Sequence, residues 1–146
     1  MADAVRAKAD ELAKMIGGQE DKRKFSKYTE FYTVFENAPV TIACVMKPYE
    51  SPATKIFRTH GIFKEYKSTG GLQGVSAAIE NILLSAKALG YGSCWMTGPM
   101  IARAELENIL KIVPPDELIS LVPVGLPDEN QITPPRKKVE EIVTFK

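Results

Sequence analysis

The chain has 146 residues, a hydrophobic share of 45% and a formal net charge of +1, enough for one domain with a sizeable core and an ordinary balance for a soluble globular protein. So even a balance offers no basic face for nucleic acid or an anionic membrane surface, and no apolar run approaches the length of a membrane span. The charged opening MADAVRAKADELAK lacks the apolar stretch of a signal peptide, so the expected compartment is the cytoplasm.

Residues 2–16 predict an amphipathic helix, with Val5, Ala9, Leu12 and Ile16 on one face and Gly17-Gly18 as its stop. Residues 19–28, QEDKRKFSKY, carry charges of both signs and read as a solvated segment. Residues 29–35 hold Phe31, Tyr32, Val34 and Phe35, an aromatic cluster that needs a core or a partner. After a turn at 36–39, Val40–Met46 is apolar and β-rich and predicts a buried strand. Residues 47–71 are punctuated by prolines and glycines, the pattern of a functional loop or lid. Phe57, Ile62, Phe63 and Tyr66 there either cover a ligand or pack on the domain or a partner subunit.

Residues 72–89 are the most informative stretch. Leu72, Val75, Ile79, Ile82, Leu83, Ala86 and Leu89 recur at helical spacing, and Ala77, Ala78 and Leu84 carry apolar character onto the other faces. A helix this apolar all round is expected to be buried on most sides. Gly90 is placed for a left-handed cap. Residues 91–96 then read as a buried strand, ended by the turn Thr97-Gly98-Pro99. A short helix at 103–112 is stopped by Pro114-Pro115. A third apolar strand at 118–124 contains Pro123, which argues for a strand end or an edge. A proline-rich loop fills 125–135, and 139–145 alternates weakly, as a last strand would.

Few of these residues carry chemistry on their own. Gly90-x-Gly92 lacks a third glycine and precedes a strand, so it is no dinucleotide fingerprint. His60 is the only histidine, which excludes a histidine metal cluster, and no cysteine pair has zinc-ligand spacing. Cys44 and Cys94, both in apolar strand-like runs, read as reduced core residues, and no base accompanies Cys94 to make it a nucleophile. Thr97-Gly98 is either an ordinary turn or a place where backbone approaches a flat ligand. Arg136-Lys137-Lys138 is either solvated surface or, stiffened by Pro134-Pro135, an approach to a phosphate.

Taken in order, the long helix, LGYGSCWMTG, a short helix, a strand ending VPVGLP and then PPRKKVEEIV resemble the C-terminal part of the FMN-dependent nitroreductase family, from about Phe35 onward. The resemblance implies an α+β fold. Its mixed β-sheet is built from Val40–Met46, 91–96 and 118–124, with helices packed around it and the 72–89 helix at a homodimer interface. It implies one domain over 1–146 that lacks the family's N-terminal helices and first strand, and with them an Arg-x-Ser-x-Arg motif and a flavin-contacting asparagine. The basic segment at 22–27 comes too late in the order of elements to replace that motif. An absent strand leaves an open sheet edge for self-association, and 139–145 is expected to cross to the partner subunit.

The implied cofactor is FMN, with Thr97 and Gly98 giving backbone contacts to the flavin ring and Arg136 holding the phosphate. The implied reaction passes electrons from NAD(P)H, through FMN, to a nitroaromatic, quinone or similar small acceptor, with no catalytic side chain and no metal. The alternative is a non-catalytic or truncated relative with weak or no flavin binding.

Overall fold

A computed structural model describes residues 1–62, 68–127 and 134–145. In chain order its elements are α1 (Ala2–Met15), α2 (Gln19–Thr29), a 3-10 segment (Glu30–Asn37), β1 (Val40–Met46), α3 (Pro52–Thr59), α4 (Gly70–Ala88), β2 (Gly92–Ser93), a second 3-10 turn (Gly98–Ala102), α5 (Arg103–Leu110), β3 (Glu117–Gly125) and a last 3-10 turn (Val139–Glu141). The strands form one sheet in the order β1-β3-β2, and both pairings are antiparallel. The α+β class expected from the sequence is the class of the structure.

β3 is the central strand, and its residues divide the core into two layers. Leu118 and Leu121 join Val5 of α1, Phe35, Met96 and Leu106 of α5 on one face. Val122 joins Cys44 and Ile79 of α4 on the other. Strict alternation would put residues 118 and 121 on opposite faces. They share one because the β1–β3 register slips between Cys44 and Val45, which leaves an extra residue, Ile119, on β3 as a bulge.

Pro123 lies inside this central strand, not at the end or edge that its chemistry predicts, and the consequence falls on β2. The pairs Gly92↔Gly125, Ser93↔Val124 and Met96↔Leu121 keep one register, which sets Cys94 opposite Pro123. Cys94 donates its N–H to the Pro123 carbonyl at 3.3 Å, but proline has no N–H to return. The strand expected over 91–96 is therefore a two-residue ladder and one isolated bridge.

Residues 19–28 bury no residue, in keeping with the expected solvation, and the structure makes them helical. The segment lacks proline and interior glycine and is rich in helix formers. Glu20 and Asp21 stand at the positive helix end and Lys27 at the negative one, with a Lys24–Glu20 pair at 2.7 Å. The irregular stretch after β1 contains α3, whose start is fixed by Pro52 and by the Ser51 hydroxyl, which accepts the Thr54 N–H at 3.1 Å. Phe57 and Ile62 are exposed, while Phe63 and Tyr66 lie outside the described residues. Residues 139–145 are a 3-10 turn followed by exposed irregular chain, not a strand.

The long helix forms as predicted and ends in a Schellman cap. Gly90 has φ +84°, Tyr91 donates its N–H to the Ala86 carbonyl at 2.8 Å, and Gly90 donates to Lys87 at 3.1 Å. It is not buried all round in the single chain. Only Ile79 and Ala86 are buried, and Leu72, Leu84 and Leu89 face outward. β1 is likewise an edge strand in which Cys44 alone is fully buried.

Candidate functional site

The second 3-10 turn follows the Met96 bridge, and the two hold the stretch from Cys94 to Gly98 as a fixed floor. Met96 and Leu121 exchange both backbone hydrogen bonds, at 2.9 and 3.0 Å, and the Met100 N–H donates to the Thr97 carbonyl at 3.0 Å. Above this floor hang α2 and the 3-10 segment after it. Tyr28, Phe31, Tyr32 and Val34 from these elements line an open cleft of about 520 Å³ opposite Cys94–Gly98 and Ile101.

The two walls are joined in the core, where Phe35 and Met96 share one cluster, and they touch again at the mouth of the cleft. A Cβ on Gly98 would stand 2.3 Å from Tyr32 Cδ1, 2.5 Å from Cε1 and 2.9 Å from Cγ, so the Tyr32 ring rests on the glycine backbone. Tyr28 meets Tyr32 edge to face, with centroids 5.6 Å apart and planes at 77°, a favourable aromatic geometry. Burial, with a smaller contribution from Tyr28, pushes the Tyr32 phenol up, so it stays neutral. No Asp, Glu, Lys, Arg or His lines the cleft among the described residues. Such a cavity suits a flat, uncharged ring.

Thr97 and Gly98 are thus brought together on the cleft floor. Arg136 is not brought to it. It lies on the exposed C-terminal segment and makes no hydrogen bond or ion pair among the described residues. Sequence reasoning missed the cap as the second wall, although four apolar side chains next to a charged helix were its visible signal.

Two cysteines differ in a way their surroundings in sequence hide. Cys44 is buried and Cys94 is exposed, which corrects the expectation that both are core residues. Burial pushes the Cys44 thiol up, and the Ser120 hydroxyl across the ladder offsets part of that. Cys94 lines the main cleft and also a neighbouring one of about 300 Å³ between Asn37–Pro39 and Gly125–Pro127. The Trp95 indole N–H is buried with no hydrogen-bond partner among the described residues. No helix among the described residues is long and apolar enough to cross a membrane.

A small antiparallel sheet between helices, with an uncharged aromatic cleft at the loop that ends its shortest strand, defines the protein as α+β. A family model described as the nitroreductase family matches residues 1–126, and the chain belongs to that family. Among solved structures it is similar to a BluB-like flavoprotein from Clostridium difficile 630, with 30% identity and a TM-score of 0.87 over 99% of this chain and 72% of that one. It shares its fold with the FMN and NADPH-dependent nitroreductase NfnB from sphigopyxis sp. strain HMH (16% identity, TM-score 0.61), covering 99% of this chain and 60% of that one. The same holds for B. megaterium NfrA1 (19% identity, TM-score 0.61), covering 90% of this chain and 55% of that one. No curated protein matches the sequence.

Proposed function

We propose that residues 1–146 act as one nitroreductase-like domain that binds FMN and passes electrons from NAD(P)H to a nitroaromatic, quinone or similar small acceptor. Family membership makes an oxidoreductase the natural reading. The observation that carries the flavin is the cleft between the Tyr28–Val34 cap and the Thr97-Gly98 floor. It is uncharged and aromatic, and it is large enough for a ring system. The similarity to a structure described as a flavoprotein supports the same reading. FMN supplies the redox chemistry when bound. The chain's own part is to hold the ring between the Thr97-Gly98 floor and the aromatic wall of Tyr28, Phe31 and Tyr32, and to offer Arg136 to the phosphate.

The residues present fit the ring better than the phosphate, because Arg136 stands on the exposed C-terminal segment and no described cation lines the cleft. That observation favours, as the second reading, a family member with weak or no flavin binding. A cytoplasmic homodimer is part of the proposal. The exposed apolar face of α4 and the exposed tail at 139–145 are surfaces that a second copy would cover. The test is a flavin titration of the purified protein, followed by absorbance and by oxidation of NADH and NADPH. The expected result is a bound flavin spectrum with turnover of one nucleotide. A protein that leaves the flavin spectrum unchanged at every concentration supports the second reading instead.

A further inference from the structure

We propose that Tyr32 is the positioning residue of the cleft: its ring, seated on Gly98, sets the gap between cap and floor, and that gap admits one flat, uncharged ring system. The proposal rests on the flavin reading for its first ligand, but its geometry stands apart from it. The contact reaches Tyr32 Cγ as well as the ring edge, so a swing of the far end of the side chain cannot relieve it. The whole side chain must turn, or the 3-10 segment that carries it must lift. The ring also meets Tyr28 edge to face. The floor beneath is pinned by the Met96–Leu121 pair and by the Met100-to-Thr97 hydrogen bond, so it does not yield. Phe35 of the same segment is held in the core cluster that contains Met96, and at the cleft itself the spacing is set by the Tyr32 ring on Gly98. Neither wall offers a charge, which leaves ring shape and stacking as the basis of selection.

The experiment is a double-mutant cycle of Gly98→Ala and Tyr32→Leu, with Tyr32→Phe as the conservative variant. Thermal unfolding is recorded without ligand, and riboflavin binding is followed by its own fluorescence. Riboflavin carries the ring without a phosphate, so Arg136 does not enter. Gly98→Ala alone is expected to lower the Tm, and adding Tyr32→Leu to recover much of that loss. Tyr32→Leu alone is expected to weaken riboflavin by about two- to twelvefold, the size of a lost aromatic pair, with Tyr32→Phe unchanged. The double variant should regain stability but not affinity, which a merely structural role for Tyr32 would not produce. Additive Tm changes, or a Tyr32→Leu protein that binds riboflavin as tightly as the parent, overturn the proposal. Menadione, a flat uncharged quinone, is titrated in parallel through quenching of Trp95, the only tryptophan. A parent that ignores riboflavin but binds menadione, with the affinity falling on Tyr32→Leu, overturns the flavin reading and supports this one. A parent that binds neither overturns both.

Discussion

Gly98 and Arg136 show two different ways in which a residue depends on its surroundings. The glycine is explained within the chain: the Tyr32 ring occupies the space that any Cβ would need. Its proximity to a strand end is legible in the sequence, but its partner, 66 positions earlier, is not, since only folding brings the 3-10 segment after α2 to the floor. Arg136 has no such explanation inside the chain, where it is exposed. The role proposed for it rests on a phosphate, and the prediction follows from that. A charge-assisted contact contributes about 1.5–3 kcal/mol. Arg136→Ala should weaken FMN by roughly ten- to a hundredfold and leave riboflavin unchanged. Fluorescence titration of both flavins against parent and variant checks it. An equal loss for both ligands would mean that Arg136 supports the protein and not the phosphate, and no loss for either would make it a solvated surface residue.

At the scale of elements, what the sequence revealed was periodicity, and what it hid was which face a neighbour covers. The bounds of β1 match the apolar run VTIACVM, yet its place at a sheet edge depends on strand order. The helix α2 was hidden because charge was read as solvation, and a charged segment can be solvated and helical at once. The strand at 91–96 was shortened by Pro123, a residue more than 25 positions away, through the N–H it cannot supply. The helix α4 makes the point in energetic terms. Ile79 is fully buried between Cys44 and Val122, whereas Leu84 is 60% exposed on the same helix. Ile79→Ala removes packed methyl groups and leaves a cavity, so it should cost about 2–5 kcal/mol in chemical denaturation. Leu84→Ala keeps a good helix former at an exposed site and should stay within about 0.5 kcal/mol at protein concentrations low enough to hold the chain monomeric. Comparable losses at the two positions would show that α4 is covered on both sides even in the single chain.

Among the described residues, apolar surface left open by the folded chain includes two places away from the cleft. One is the outer face of α4, where Leu89 is 74% exposed beside a groove of about 330 Å³ lined by Ile42, Ile82, Tyr91 and Val124. The other is the C-terminal segment, where Val139, Ile142 and Phe145 are exposed. Apolar surface gathered in this way marks association, and a symmetric pair of chains is the commonest form it takes. The parent is therefore expected to scatter light as a dimer at micromolar concentration, and a clean monomer there would sink the idea. Leu84→Lys with Leu89→Lys should give a folded monomer, because lysine is compatible with a helix and both sites are open to water in the single chain. This variant also separates two places for Arg136. If the exposed tail carries Arg136 to the cleft of a second copy, the monomer loses the preference for FMN over riboflavin to the same extent as Arg136→Ala. If Arg136 serves the cleft of its own chain, the monomer keeps that preference, and dimerisation and phosphate binding are independent properties of the fold.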